Sequence, residues 1–128
     1  MISERYRQRH KFNLKNKEMK TLENNKLIAE FLNLTSQVIF EQVFTVSENG
    51  KTKFYKKDEL EFHTDWNWLM QVVEKIESEN IVCFKIQGNN CYCEGNFKYG
   101  ITAPSKINAV YTVCVEFIKW YNNQNKVS

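Results

Sequence analysis

"IVCFKIQGNNCYCEG" (Ile81–Gly95) and, after a short connection, "SKINAVYTVCVEFIKWY" (Ser105–Tyr121) carry two different hydrophobic periods, and the change between them decides the fold. In the first stretch Val82, Phe84 and Ile86 alternate with their neighbours, the period of a strand with one covered face. Gly88-Asn89-Asn90 supplies the turn residues that reverse the chain into a second strand ending near Glu94. Cys91 and Cys93 therefore share one strand face. In the second stretch Ile107, Val110, Tyr111, Cys114, Phe117, Ile118 and Tyr121 recur at helical spacing, with Ser105 after Pro104 as the N-cap. The intervening segment with Gly95 and Gly100 reads as a loop.

The same alternation of element types runs upstream. "NNKLIAEFLNL" (Asn24–Leu34) gathers Leu27, Ile28, Phe31 and Leu32 on one helical face, with Asn24 or Asn25 as its cap. "QVIFEQVFTVSENGKTKFYKK" (Gln37–Lys57) reads as a hairpin, because β-branched and aromatic residues flank Asn49-Gly50, a dipeptide suited to the positive φ of a tight turn. "HTDWNWLMQVVEKIES" (His63–Ser78) is a helix capped by Thr64 or Asp65. Helix, hairpin, helix, hairpin, helix implies an α+β domain: a three-layer α/β/α sandwich whose sheet is mainly antiparallel, since hairpin-linked strands pair that way.

A chain of 128 residues is one domain's worth and long enough to bury a core without staples. Nine Phe, six Tyr and three Trp set it apart from disordered chains. No run of about 18 apolar residues is present and no apolar segment follows the basic N-terminus, which places the chain in the host cytosol, away from membranes, with its four cysteines as free thiols. The net charge of +3 is unevenly spread. Arg5, Arg7, Arg9, Lys11, Lys15, Lys17 and Lys20 face only Glu4 and Glu18, while the rest of the chain holds eleven basic and thirteen acidic residues. Residues 1–23, which lack an apolar period, read as a basic arm, and 24–128 as a single, slightly acidic domain.

Three segments, "NKLIAEFLNL" (Asn25–Leu34), "FHTDWNWLMQVVEKIES" (Phe62–Ser78) and "KINAVYTVCVEFIKWYNNQNK" (Lys106–Lys126), together resemble the phage ABA-sandwich domain family of small phage and prophage proteins. They span about two-fifths of the chain. The resemblance implies a sandwich fold and an origin in a phage or mobile element; the family has no characterised activity, so it carries over no catalytic residue. Family members typically have Asp between the two tryptophans and Pro after "WLM", where this chain has Asn67 and Gln71. The basic arm and the Asn49-Gly50 hairpin lie outside the shared segments.

Signals for chemistry are sparse. His63 and Asp65 form a His-x-Asp pair, but a carboxylate in the first turn also suits the helix dipole, and no Ser or Cys nucleophile stands at a recognisable spacing. Cys91 and Cys93, with Cys83 on the partner strand, offer three thiolates, yet structural zinc favours ligand pairs separated by two to four residues on tight turns. Neither a nucleotide-binding loop nor a cofactor motif is present. The expectation is therefore a protein that is not an enzyme and holds no metal or cofactor.

Binding remains. On a helical wheel Trp66, Leu69, Met70, Val73 and Ile76 form the core stripe of their helix, while Trp68 lies about 130° from its centre beside Val72. Trp120 lies about 115° off the last helix's stripe, in line with Val113. Trp68, Val72, Val113 and Trp120 are thus candidate anchors for a protein partner. Arg5, Arg7, Arg9 and Lys11, interleaved with Tyr6 and His10, suit phosphate contacts and base stacking. The leading expectation is a phage accessory protein that binds and inhibits a host defence component, a CRISPR effector for example. The alternatives are nucleic-acid binding through the arm and sequestration of a small ligand between sheet and helices; self-association is left open.

Overall fold

Helix α3 (Lys106–Asn125) is buried over most of its circumference, and the other elements are arranged as its cover. In the computed structural model of the protein, which describes residues 19–38, 41–48 and 50–125, α3 closes a chain of three helices and six strands. Helix α1 (residues 19–31) leads into β1 (Thr35–Val38), β2 (Glu41–Glu48) and β3 (Lys51–Tyr55). A single 3-10 turn (Lys57–Glu59) then leads to α2 (Trp66–Ser78), followed by β4 (Val82–Gln87), β5 (Asn90–Gly95) and β6 (Tyr99–Thr102). The α+β class, the hairpin-built antiparallel pairing and the packing of helices on sheet are all observed. The strands divide into two antiparallel sheets, β1-β2-β3 and β4-β5-β6.

The β4-β5-β6 sheet lies against α2 through β4 and against α3 through β5 and β6. Its register sets Phe84 opposite Cys93, Ile86 opposite Cys91 and Cys91 opposite Ile101. Period-two alternation then separates the faces: Val82, Cys91 and Cys93 are buried under the helices, whereas Cys83, Lys85, Tyr92 and Glu94 are exposed. Gly88 takes φ +59° in the two-residue connection between β4 and β5, the first-position conformation of a II′ turn. The segment read as a loop around Gly100 contains β6, which extends the hairpin into a meander.

The first sheet also exceeds its expectation. The pattern of Gln37–Lys57 predicts one hairpin, and the β2–β3 connection does pass through Gly50 at φ +77°, but β1 adds a second antiparallel pair with Val38 opposite Glu41. Asn49 lies outside the described residues. Phe44 of β2 is buried, and Thr45 is tied to the end of α1 through its N–H to the Leu34 carbonyl at 2.7 Å.

Helix ends follow local chemistry. Asp65 accepts the Asn67 N–H at 2.8 Å and caps α2, and the Ser105 hydroxyl accepts the Asn108 N–H at 3.3 Å at the start of α3. Asn33 and Asn80 both sit at φ 58°, closing α1 and α2 in the left-handed conformation. At Asn33 the bonds are those of a Schellman motif, Leu34 N–H to the Ala29 carbonyl at 3.0 Å and Asn33 N–H to the Glu30 carbonyl at 3.1 Å. The start of α1 differs from expectation. Residues 19–23, assigned to the arm, are already helical, so neither Asn24 nor Asn25 is its cap. Asn25 instead points inward and is 1% exposed.

Gly95 is the tightest backbone position. It sits at φ +145°, and a Cβ placed there would lie 2.1 Å from the Ile81 carbonyl oxygen, itself held by the Asn96 N–H at 3.0 Å. Gly50 shares the positive φ but has open space around it. Gly95→Ala should therefore cost at least about 3 kcal/mol and Gly50→Ala only about 1 kcal/mol. Urea unfolding of the two variants beside the parent checks this; equal costs would refute the close approach at Gly95.

Candidate functional site

The tryptophans exchange the places given them by the wheel. Trp68 is 4% exposed, whereas Trp66 is 38% exposed. Trp68 is wedged edge-on between Tyr55 of β3, with ring centroids 4.9 Å apart, and Phe62, 5.1 Å away. Val72, one turn further on, is fully buried. The wheel assumes a single covered face, but α2 is covered on two sides: by β4 and α3 on one, by Tyr55 and Phe62 on the other. Trp68 and Val72 are therefore core, not surface anchors.

Val113 is fully buried in α3, and Trp120 is half-buried, stacked on Phe97 of the β5–β6 connection at 5.3 Å and 5.8 Å from Phe117. That connection covers the flank of α3 that the wheel left open. Arg5, Arg7, Arg9 and Lys11 lie outside the described residues. The four tryptophan-linked candidates thus share burial rather than a common surface.

The groups that could do chemistry are committed to structure. Asp65 caps α2, and His63 turns to α1, where its Nδ1 lies 3.0 Å from the Asn25 amide nitrogen. Cys91 and Cys93 face inward and Cys83 outward, so the C-x-C pair and its partner-strand cysteine do not converge. Among the described residues no three metal-ligating side chains come together. Burial pushes the Cys91 thiol up to about 11 and raises Cys93; the wholly enclosed Cys114 is held well above its usual range for the same reason. Thiols held protonated in this way are inert as nucleophiles.

What remains outward is the other face of the β4-β5-β6 sheet. Lys85 reaches diagonally across to Glu94, Nζ to carboxylate 3.5 Å, and lies 5.7 Å above the ring of Tyr92, its cross-strand partner. The Glu94 carboxylate is the main reason the Lys85 ammonium holds its proton more tightly than usual. Tyr92 stands opposite Gly100, where an added Cβ would come within 3.0 Å of the tyrosine Cβ. Beside this cluster lies a shallow, open groove of about 410 Å³ lined by Glu77, Asn80, Ile81, Val82, Cys83 and Glu94. Glu77 is partly engaged, its carboxylate accepting the Phe84 N–H at 3.2 Å. The face is a mixed-charge platform with one aromatic ring at its centre. Period two in "VCFKIQ" and "NCYCEG" already implied an outer face; it could not tell that no helix among the described residues covers it.

Comparison with family models, with curated proteins and with solved structures finds no match to the chain. Among the described residues no helix is long and apolar enough to cross a membrane.

The reversal of the tryptophans is measurable. Trp68→Ala should cost about 3–5 kcal/mol, as for a large aromatic removed from a core, and Trp66→Ala less than about 1 kcal/mol. Chemical denaturation of both variants decides it; a milder effect at Trp68 than at Trp66 would return Trp68 to the surface.

Proposed function

We propose that the protein acts by binding: a phage or mobile-element accessory protein that blocks a host defence component, such as a CRISPR effector, by protein-protein contact through the outer face of β4-β5-β6. The observation that carries this reading is that face itself, a sheet surface on which Lys85, Tyr92 and Glu94 contact one another yet are left exposed. A central aromatic ring among paired charges suits a protein partner, since Tyr is enriched at binding hot spots and charge pairs set register. Support for the origin comes from the resemblance to the phage ABA-sandwich domain family, whose three segments fall on α1, α2 and α3. Binding is favoured over catalysis because His63, Asp65 and three of the four cysteines are occupied in caps, a buried network and the core.

The test is plasmid interference in a bacterium with an active CRISPR system. Expression of the protein should restore transformation of a targeted plasmid, and Tyr92→Ala combined with Lys85→Glu should abolish that effect while leaving the melting temperature within a few degrees. Failure of the parent protein to restore transformation sinks the CRISPR assignment; full activity of the double variant sinks the face.

A second reading, favoured by the seven basic residues among the first twenty, is nucleic-acid binding through the arm. It requires that deleting residues 1–18 abolish a salt-sensitive mobility shift of DNA or RNA. A shift that survives the deletion excludes it.

A further inference from the structure

Asn25 is a buried polar side chain, 1% exposed, and its amide joins three parts of the chain. Its Nδ2 lies 3.2 Å from the Leu60 carbonyl oxygen and 3.0 Å from His63 Nδ1, while its Oδ1 accepts the Tyr111 hydroxyl at 2.9 Å. A backbone carbonyl can only accept, so the nitrogen side of the amide must face Leu60. Its second hydrogen then points at His63 Nδ1, which has to present a lone pair. The imidazole is therefore neutral, with its proton on Nε2.

A proton on Nδ1 has no good place to go. It would set N–H against N–H, and turning the amide over to receive it would bring Oδ1 against the Leu60 carbonyl and take the acceptor away from Tyr111. Each arrangement leaves at least one hydrogen-bonding group of the network unsatisfied. We propose that Asn25, His63 and Tyr111 form an acid-sensitive latch, in which protonation of His63 weakens the hold of α1 on the 60–63 segment and on Tyr111 of α3.

Burial agrees with the geometry, holding the imidazole below its ordinary 6.5, while Glu61 on the same segment opposes the shift. Because the folded value is the lower one, the unfolded or undocked state binds the proton more readily. The stabilisation is complete above about pH 6.5 and is lost as pH falls towards the folded value. The hydrogen-bonding partners of the imidazole keep one charge state across this window. Asn25 of α1 is neutral, and burial raises Tyr111 of α3, whose oxygen also lies 3.5 Å from the Thr21 carbonyl. Cys114, which bears on Tyr111 electrostatically, keeps its proton. The exposed Glu23–Lys57 pair also ties α1 to this side of the domain, and Glu23 is held below the usual carboxylate range mainly by its hydrogen bond to Lys57.

Hydrogen exchange of the full chain at about pH 7.5 and about pH 5, corrected for intrinsic rates, tests the latch. Protection of residues 20–32 should fall as the solution is acidified, by no more than about tenfold per pH unit, the limit for one proton, while α2 keeps its protection. In His63→Gln, which retains an acceptor without a titrating group, α1 protection should not depend on pH. Unchanged α1 protection in the parent, or an equal fall in His63→Gln, overturns the proposal. Should that variant not fold, the imidazole nitrogen chemical shifts of the parent protein decide: an Nε2-protonated tautomer at neutral pH supports the latch, and a proton on Nδ1 overturns it.

Discussion

The need to cover the broad apolar surface of α3 organises this molecule. Ala109, Val110, Val113, Cys114, Val115, Phe117 and Ile118 are all buried and span about two-thirds of the helix's circumference rather than one narrow stripe, while Asn108, Thr112, Glu116 and Lys119 keep the remaining side in contact with solvent. No single sheet can satisfy such a helix. The β4-β5-β6 sheet takes one flank, α2 another, and α1 closes over Phe117 and Tyr121 through Phe31, whose ring lies 6.4 and 5.7 Å from theirs. Phe97 seals the end beside Trp120. Each covering element is short or one-sided, and each gains its stability from this shared centre more than from its own propensity.

That arrangement explains which parts of the fold could be read from the residues. The β4–β5 hairpin and α3 carry their periods openly, and the caps at Asp65 and Ser105 are local chemistry that requires no knowledge of the rest. Strand β6 is four residues long with a glycine inside it, too short for alternation to register. The first turn of α1 carries no apolar stripe, and Asn25, by composition a cap, is drawn inside because Leu60, His63 and Tyr111 meet its amide. Trp68 is the clearest instance. Its neighbours along the helix place it off the stripe, and only Tyr55 and Phe62, which arrive from another part of the chain, turn that side into interior.

The candidate surface was legible in part for the same reason. Alternation puts Lys85, Tyr92 and Glu94 on one face, but whether a strand face is covered depends on where distant helices settle. Here both α2 and α3 lie on the inner side, and the outer side keeps its polar pattern. The arm, where the most basic part of the chain lies, contributes through composition alone.

Glu77 has a consequence that concerns neither the core nor the platform. Its carboxylate receives the Phe84 N–H from the outer edge of β4, where the carbonyl of another strand would otherwise fit. A carboxylate can end a ladder but cannot continue one, so at this point the sheet is made finite by a side chain from its own helix. A protein built on short exposed meanders is at risk of joining its copies edge to edge, and Glu77 removes one such joint.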